Sequence, residues 1–320
     1  MKPKNCLIFG ASGQIGRHLI RKLTKNNYKV TAVTRNLHRK GYILKTQASA
    51  GWIECVEVNI FDEKQLSELI SKADICINLI GILFEKGKVN TFKNIHSDFA
   101  RLISKLCKDY KTKQFIQLSA LGIDEAKNSL YAKSKIEAEN NIKKNFPNAI
   151  ILRPSVVYSV DDNFTTNFMT LLNRMPMFPL YYGGKTKFMP IHVSDLTEII
   201  FQIIVKENIS KTIECIGNET ITFKEILRRL LKLINKKRIL LPLPNFIAFI
   251  SAKILQILPT PLITEDQLRL LAYDNISTGK YKNNFDIGVP SVCIFDVEVE
   301  KYCYMWKEGG QYSTKKYDGN

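Results

Sequence analysis

Near the middle of the 320-residue chain, the stretch NSLYAKSKIEAEN sets a phenol, Tyr131, four residues ahead of an ammonium, Lys135. Four residues make little more than one helical turn, so both side chains share a face of any helix built from this polar segment. A tyrosine with its ordinary pKa of about 10 is a poor base at neutral pH. A neighbouring ammonium favours the phenolate and lowers that value. The same lysine can hold the ribose hydroxyls of a nicotinamide nucleotide. Ser119, twelve residues before Tyr131, can hydrogen-bond a substrate oxygen. Together Ser119, Tyr131 and Lys135 suit proton transfer coupled to hydride transfer. A Tyr-x-x-x-Lys pair alone also describes an ordinary solvated helix face, so the surrounding elements must decide between the two.

Those elements begin at the N-terminus. NCLIFGASGQIGRHLIRKLTKNNYKVTAVTR reads as strand, glycine turn, helix and strand, with Ile15, Leu19, Ile20 and Leu23 at helical spacing. Gly10, Gly13 and Gly16 fall at the first strand-to-helix junction. Gly10 allows the tight turn, Gly13 lets backbone approach a pyrophosphate, and Gly16 permits close helix-to-strand packing. With Ser12, Gln14 and Ile15 they place amides of a helix N-terminus against phosphates. The second strand ends in Thr34-Arg35 and not in an acid. An acid would bond the ribose hydroxyl of NAD, whereas Arg35 can pair with the 2′-phosphate of NADP, so NADP(H) is preferred over NAD(H). Arg17, Arg39 and Lys40 are further candidates for that phosphate.

Further α/β units follow. WIECVEVNIFD carries Asn59, Ile60 and Asp62 at its carboxyl end, where adenine would be contacted; ADICINLIG ends in Asn78, Leu79, Ile80 and Gly81; QFIQLSALG ends near Ser119. Strands alternating with helices predict a doubly wound parallel sheet of the Rossmann type, whose ligands bind beyond the strand carboxyl ends.

Composition narrows the partners. Net charge is +17, which favours acidic ligands, but the lysines are dispersed and no nucleic-acid-binding motif is present. Seven scattered cysteines without a CxxC pair predict reduced core thiols, and four unpaired histidines predict no metal site. The N-terminal apolar run is too short for a signal peptide. Beyond about residue 160, DNFTTNFMTLLNRMPMFPLYYGG reads as a helix and a Met- and aromatic-rich loop, either core or the wall of an apolar pocket. TFKEILRRLLKLINKK is an amphipathic helix opened by a Thr222–Glu225 capping box. ILLPLPNFIAFISAKILQILP is the most apolar stretch, but Pro242, Pro244, Asn245, Lys253 and Gln256 interrupt it and argue against a membrane span. A buried helix is one reading; a face for a membrane or a hydrophobic partner is the other.

The glycine bend, the NLIG strand end, Ser119 with Tyr131 and Lys135, and LRPSVVY together resemble the extended or atypical branch of the short-chain dehydrogenase/reductase superfamily. That resemblance implies that Arg153, Pro154, Ser155 and Val156 line the nicotinamide pocket, and that GGKTKFMPIHVSDL, with His192 and Asp195, returns the chain to the nucleotide domain. It implies a dinucleotide domain over residues 1–160 plus about 188–215. A smaller C-terminal α/β domain would cover about 161–187 plus 216–310, with 311–320 a polar tail. NLIGILFEKG, SALGIDEAKNSLYAKSK, FPNAIILRPSVVY and the apolar stretch more narrowly resemble the NADPH-binding accessory-subunit family of respiratory complex I and its bacterial relatives, which are NAD-dependent epimerase/dehydratase-like. Members hold a nucleotide firmly, and the mitochondrial ones act structurally. Many active relatives carry an asparagine in the helix before the serine strand; FKNIHSDFARLI has His96 there, a proton relay or a packing residue. The resemblance therefore implies an NAD(P)(H)-holding accessory or assembly factor of complex I, cytoplasmic or peripheral on the cytoplasmic face of the inner membrane. An active NAD(P)-dependent oxidoreductase or epimerase with a Ser-Tyr-Lys site on an apolar substrate stays open beside it.

Overall fold

The opening βαβ unit folds as read: β1 (Asn5–Phe9), α1 (Gln14–Lys25) and β2 (Lys29–Thr34). There follow α2 (Leu37–Lys45), β3 (Ile53–Glu57), α3 (Glu63–Ser71) and β4 (Ile75–Asn78). A π-helical turn at Lys93–Asp98 then runs into α4 (Phe99–Asp109), β5 (Gln114–Leu118), α5 (Leu130–Asn145) and β6 (Ile150–Pro154). The computed structural model describes residues 3–206, 211–256, 261 and 263–312. Most of the polar tail expected over 311–320, and the end of the apolar stretch at 257–259, lie outside the described residues.

All neighbouring strands of the main sheet are parallel, in the order β3-β2-β1-β4-β5-β6. The order reverses between β1 and β4, so the crevice for a ligand opens beyond the carboxyl ends of these two strands. Strands buried on both faces read as continuous apolar runs, and β1 shows why. Cys6 and Ile8 pack on one side with α1, while Leu7 and Phe9 pack on the other with α3 and α4.

Beyond β6 the chain weaves between the sheet and a second layer. Three short pairs form: β7 (Val157–Tyr158) with β10 (Ile191–His192), β8 (Met177–Leu180) with β13 (Ile239–Pro242), and β9 (Lys187–Phe188) with β12 (Ile221–Thr222). Helix α6 (Thr165–Arg174) belongs to this layer, whereas α7 (Val193–Val205) returns to pack on α1, where Tyr28 meets Phe201 edge-on at 6.2 Å. Strand β11 (Thr212–Cys215) then joins the sheet beside β6. The remaining elements are α8 (Phe223–Leu233), α9 (Asn245–Leu255), α10 (Glu265–Leu271), β14 (Lys282–Asn283) and α11 (Phe295–Glu300). Strand β14 pairs with β11 as an eighth parallel strand, although it falls in the range assigned to the small domain; two residues are too few to carry a readable period.

The Met- and aromatic-rich region divides. Phe164, Phe168, Phe178, Phe188 and Phe223 pack mutually, with Phe164 and Phe168 at 5.0 Å, in an apolar cluster apart from those that cover the sheet's two faces. Met175 and Met177 are exposed. At Thr222 half of the capping box forms: its hydroxyl accepts the Glu225 amide at 3.2 Å, but the Glu225 carboxylate bonds Arg229 instead. A complete capping box closes α10 at Thr264 and Gln267. Helix α9 is not a buried helix. Ala248 and Ala252 face inward, whereas Phe246, Ile247 and Ile250 are exposed, as are Ile239 and Leu241 of β13. Among the described residues no helix is long and apolar enough to cross a membrane.

Candidate functional site: a dinucleotide seat beside a Tyr–Lys helix

Gly10 turns the chain after β1 with φ +78°, a left-handed conformation that glycine tolerates. A Cβ there would lie 3.1 Å from the Leu79 carbonyl carbon and the Ile80 amide nitrogen, so the bend presses against the end of β4. Gly16 has no room for a Cβ, which would fall 2.4 Å from the Ala11 oxygen; this is the close helix-to-strand approach expected of it. Gly13 differs. It stands exposed at the N-cap of α1 with extended backbone, no side chain caps the first turn, and a Cβ would meet only the Gly10 oxygen at 3.3 Å. Uncapped first-turn amides at the positive end of a helix, with open space above them, suit a diphosphate.

Around this bend the other expected contacts sort themselves. Ser12 is half-buried and accepts from Thr34 Oγ1 at 3.4 Å; Ile15 packs into the core beneath. Gln14 donates Nε2 to Ser159 Oγ at 2.8 Å. Arg17 does not reach toward the end of β2: it pairs with Asp161 and donates to the Ser12 oxygen at 3.4 Å. Arg35 is exposed and tethered to Asn90 Oδ1 at 3.3 Å. With Glu57, Asn59, Ile60, Val89 and Asn90 it lines a cleft of about 290 Å³ beyond β2 and β3. Arg39 and Lys40 are exposed on α2. Asp62 caps α3, accepting the Gln65 amide at 3.1 Å, because an acid at an N-cap satisfies a donor the helix leaves open.

Helix α5 brings Tyr131 and Lys135 onto one inward face. Its start is held from afar: Asp266, in the first turn of α10, accepts the amides of Leu130 (2.7 Å) and Tyr131 (3.0 Å) and the Ser129 hydroxyl (2.8 Å). The Lys135 ammonium lies 5.8 Å from the Tyr131 ring centroid and, among the described residues, has one hydrogen bond, to the Leu118 oxygen at 3.3 Å. A Cβ on exposed Gly81 would approach it to 3.4 Å. Burial pushes Lys135 down to about 8, opposed by Glu139, and pushes the Tyr131 phenol up to about 12. At neutral pH the phenol holds its proton and can donate one. A buried ammonium with spare donors over an open backbone fits the ribose of a nicotinamide nucleotide. When bound, that nucleotide supplies or accepts the hydride.

Ser119 does not join this pair. Its hydroxyl donates to Glu139 at 2.6 Å, and Glu139 lies eight residues beyond Tyr131, about 12 Å along the helix. Ala120, the neighbour of Ser119, packs on the apolar cluster of Ile123, Ala126 and Ala132, on which Tyr131 packs as well. Arg153, expected in the nicotinamide pocket, is instead buried against the same Glu139 through Nε and Nη2, both at 2.8 Å. The neighbouring Ser155 hydroxyl and Val156 amide both donate to Asn275 Oδ1, at 2.6 and 3.1 Å, while Pro154 accepts the Leu121 amide at 2.9 Å. Glu139 had a readable signal, since Tyr131, Lys135 and Glu139 recur every four residues. Asp266 and Asn275 had none, being more than a hundred residues from their partners.

His96 is a fixed wall. Its Nε2 accepts the Ile82 amide at 3.0 Å, which leaves Nδ1 protonated and donating to Ser134 Oγ at 2.8 Å; Ser134 donates in turn to the Tyr131 carbonyl. The imidazole stacks on Phe92 and meets the Tyr131 ring edge-on at 5.3 Å. Burial, then the Lys135 charge, push it down to about 2. It therefore stays neutral near neutrality, with both ring nitrogens already engaged. Because the folded value lies below the ordinary 6.5, His96 contributes stability that is complete above that pH and erodes as acid protonates the unfolded chain. Denaturant titrations are expected to show a shallower loss from pH 6.5 to 4 for His96→Gln than for the native chain. His18, pushed down to about 4 by burial, keeps part of the slope.

Among the described residues no cluster of potential metal ligands is present. The family model described as NAD(P)H-binding matches residues 10–176, more than half of the chain. The chain is 25% identical to the mitochondrial NADH-ubiquinone oxidoreductase 40 kDa subunit of Neurospora crassa, over 88% of this chain and 74% of that one. It is 27% identical to the mitochondrial NADH dehydrogenase [ubiquinone] 1 alpha subcomplex subunit 9 of Arabidopsis thaliana, over 84% and 70%. Its fold is shared with dTDP-glucose 4,6-dehydratase from Bacillus anthracis, solved in complex with NAD, at a TM-score of 0.71 and 16% identity over 95% of this chain and 96% of that one. An uncapped glycine bend at the switch point of a parallel sheet, the buried ammonium beside it and these likenesses converge: the chain belongs to the NAD(P)H-binding family.

Proposed function

We propose that this protein is a nucleotide-holding accessory subunit of NADH:ubiquinone oxidoreductase that prefers NADP(H) to NAD(H). The observation that carries the holding role is the bond from Ser119 to Glu139. The diphosphate seat and the ribose-gripping Lys135 stand ready, while the hydroxyl meant to orient a substrate oxygen is engaged elsewhere, beside a phenol raised to about 12 and a neutral His96. Binding without turnover needs only the first set of groups. Relatives that bear the names of subunits of this oxidoreductase, alike over most of both chains, support the partner.

Arg35 at the mouth of the adenosine-side cleft supports NADP(H), since a guanidinium pairs with a 2′-phosphate. The exposed apolar side chains of β13 and α9 support a peripheral place at the inner membrane, on its cytoplasmic face. Residues 236–256 carry four basic and no acidic side chains, which suits an anionic surface. The test is purification of the native protein from membranes. It is expected to travel with the oxidoreductase and to release NADP(H) on denaturation; a free protein releasing NAD(H), or nothing, would contradict the reading. A second reading, an active oxidoreductase or epimerase, is favoured by the shared face of Tyr131 and Lys135. Its mark is hydride transfer that Tyr131→Phe abolishes with nucleotide affinity unchanged.

A further inference from the structure

The linker between the two layers is fastened to both by consecutive carboxylates. On the nucleotide side, Gln14 donates to Ser159 Oγ at 2.8 Å, and Ser159 donates to Asp161 Oδ1 at 2.6 Å. Asp161 pairs with Arg17, whose other terminal nitrogen donates to the Ser12 oxygen in the glycine bend. The bend, the first turn of α1 and the linker thus share one run of hydrogen bonds. Asp162 faces the opposite way. It is buried and accepts the amides of Phe164, Thr165 and Thr166 at 3.1, 3.1 and 2.9 Å, which secures the start of α6. It also accepts the Thr165 hydroxyl, which meets the Tyr302 hydroxyl at 2.7 Å.

The two attachments are not equally durable. Asp162 has five donors in a water-poor site, whereas the Asp161 carboxylate is 35% exposed and Arg17 is 15% exposed. Partly exposed ion pairs are weak and break readily. The linker is therefore built to part from α1 while staying attached to the small domain. A guanidinium has five donors in a planar fork, so Arg17 can keep the Ser12 oxygen and Asp161 together beside the diphosphate seat.

We propose that residues 159–161 form a latch over that seat, and that the Arg17–Asp161 pair sets how long NAD(P)H stays bound. The latch rests on the NAD(P)H-binding reading of the glycine bend. It assigns Asp161 and Ser159 as positioning residues: they act through Gln14 and Arg17 and touch no reacting atom. Closure over a bound ligand slows escape more than encounter, so the effect belongs to the dissociation rate.

The experiment follows release of NADPH from the full chain by stopped-flow fluorescence during a chase with excess NADP+. Asp161→Asn is expected to raise the off-rate about two- to fivefold, the range a partly exposed ion pair supplies, and to leave the on-rate unchanged within error, with a smaller rise for Ser159→Ala. Arg17→Ala combined with Asp161→Asn is expected to release NADPH no faster than Arg17→Ala alone, because the two groups act as one pair. Asp161→Asn leaves every bond of Asp162 in place. Were it nevertheless to fold poorly, Arg17→Lys is expected to give the same kinetic signature from the other side of the pair. Unchanged or slower release in well-folded Asp161→Asn, or additive effects in the double variant, would overturn the latch alone. A native chain that bound neither NADPH nor NADH would overturn the latch and the nucleotide reading together.

Discussion

Gly13→Asp is expected to abolish nucleotide binding while the protein folds as well as before. Gly13 is exposed, its φ of −73° is open to any L-residue, and a Cβ would touch only the Gly10 oxygen. Asp is moreover a favourable N-cap, worth a few tenths of a kcal/mol over glycine. That gain offsets the few tenths of an ångström that the Gly10 oxygen must yield to a Cβ at 3.3 Å, so the thermal midpoint should stay within a few degrees of the native one. Binding is another matter. The new carboxylate takes the first-turn amides for itself and sets a negative charge where the diphosphate must sit. A loss of affinity on the order of a hundredfold or more is expected from replacing charge-assisted hydrogen bonds by like-charge repulsion. Isothermal titration with NADPH, paired with a thermal melt, checks both halves. Retained affinity in a folded Gly13→Asp protein would remove the glycine bend as the seat. An equivalent change at Gly16 could not make this distinction, since any Cβ there strikes Ala11 and disturbs the fold itself.

Arg153→Ala is expected to cost about 3–5 kcal/mol of stability, the penalty of leaving a buried charge without its partner. Arg153 is 4% exposed; it holds both oxygens of Glu139, reaches Asp124 at 2.7 Å and stacks on Tyr281 at 4.6 Å. Without it, among the described residues Glu139 keeps the Ser119 hydroxyl and Lys143 at 3.5 Å, with the buried Lys135 charge one helical turn away. Arg153→Lys should recover little, because one ammonium cannot span both oxygens of Glu139. Urea unfolding checks the size of the effect. A stable Arg153→Ala protein with weakened nucleotide affinity would return Arg153 to the nicotinamide pocket, where the motif LRPSVVY first put it. The two substitutions therefore separate the groups proposed to hold the cofactor from those that hold the sheet to α5.

The legible part of the site was its local part. The glycine spacing, the apolar run before it and the helical period after it all lie between Asn5 and Leu23, and each follows from turn sterics and amphipathic burial. The pairing of Tyr131 with Lys135 was equally local, one helical turn long. Ser119 was misleading for a geometric reason. Successive residues of an extended strand end point to opposite sides, so Ser119 turns toward Glu139 while Ala120 joins the apolar cluster that Tyr131 also packs on. Arg17 looked like a candidate for the NADP phosphate by type alone, until the fold brought Asp161 against it.

The α9 stretch makes the same point from the side of solvent. Its apolar composition was plain in the sequence, but two buried alanines and three exposed large side chains give opposite meanings to similar residues. Only the packing of α9 against α10 and the turn at Tyr181–Tyr182 assigns those faces.

By itself, the sequence determined the parallel α/β architecture, the glycine bend and the Tyr–Lys helix, because each depends on backbone sterics and periodicities that act over a few residues. The tertiary structure alone decided which hydroxyl faces the phenol, which carboxylate neutralises Arg153, and what holds the start of α5. Those choices join groups from 14 to 135 residues apart, and such pairings are set by how the layers pack, which no local pattern encodes.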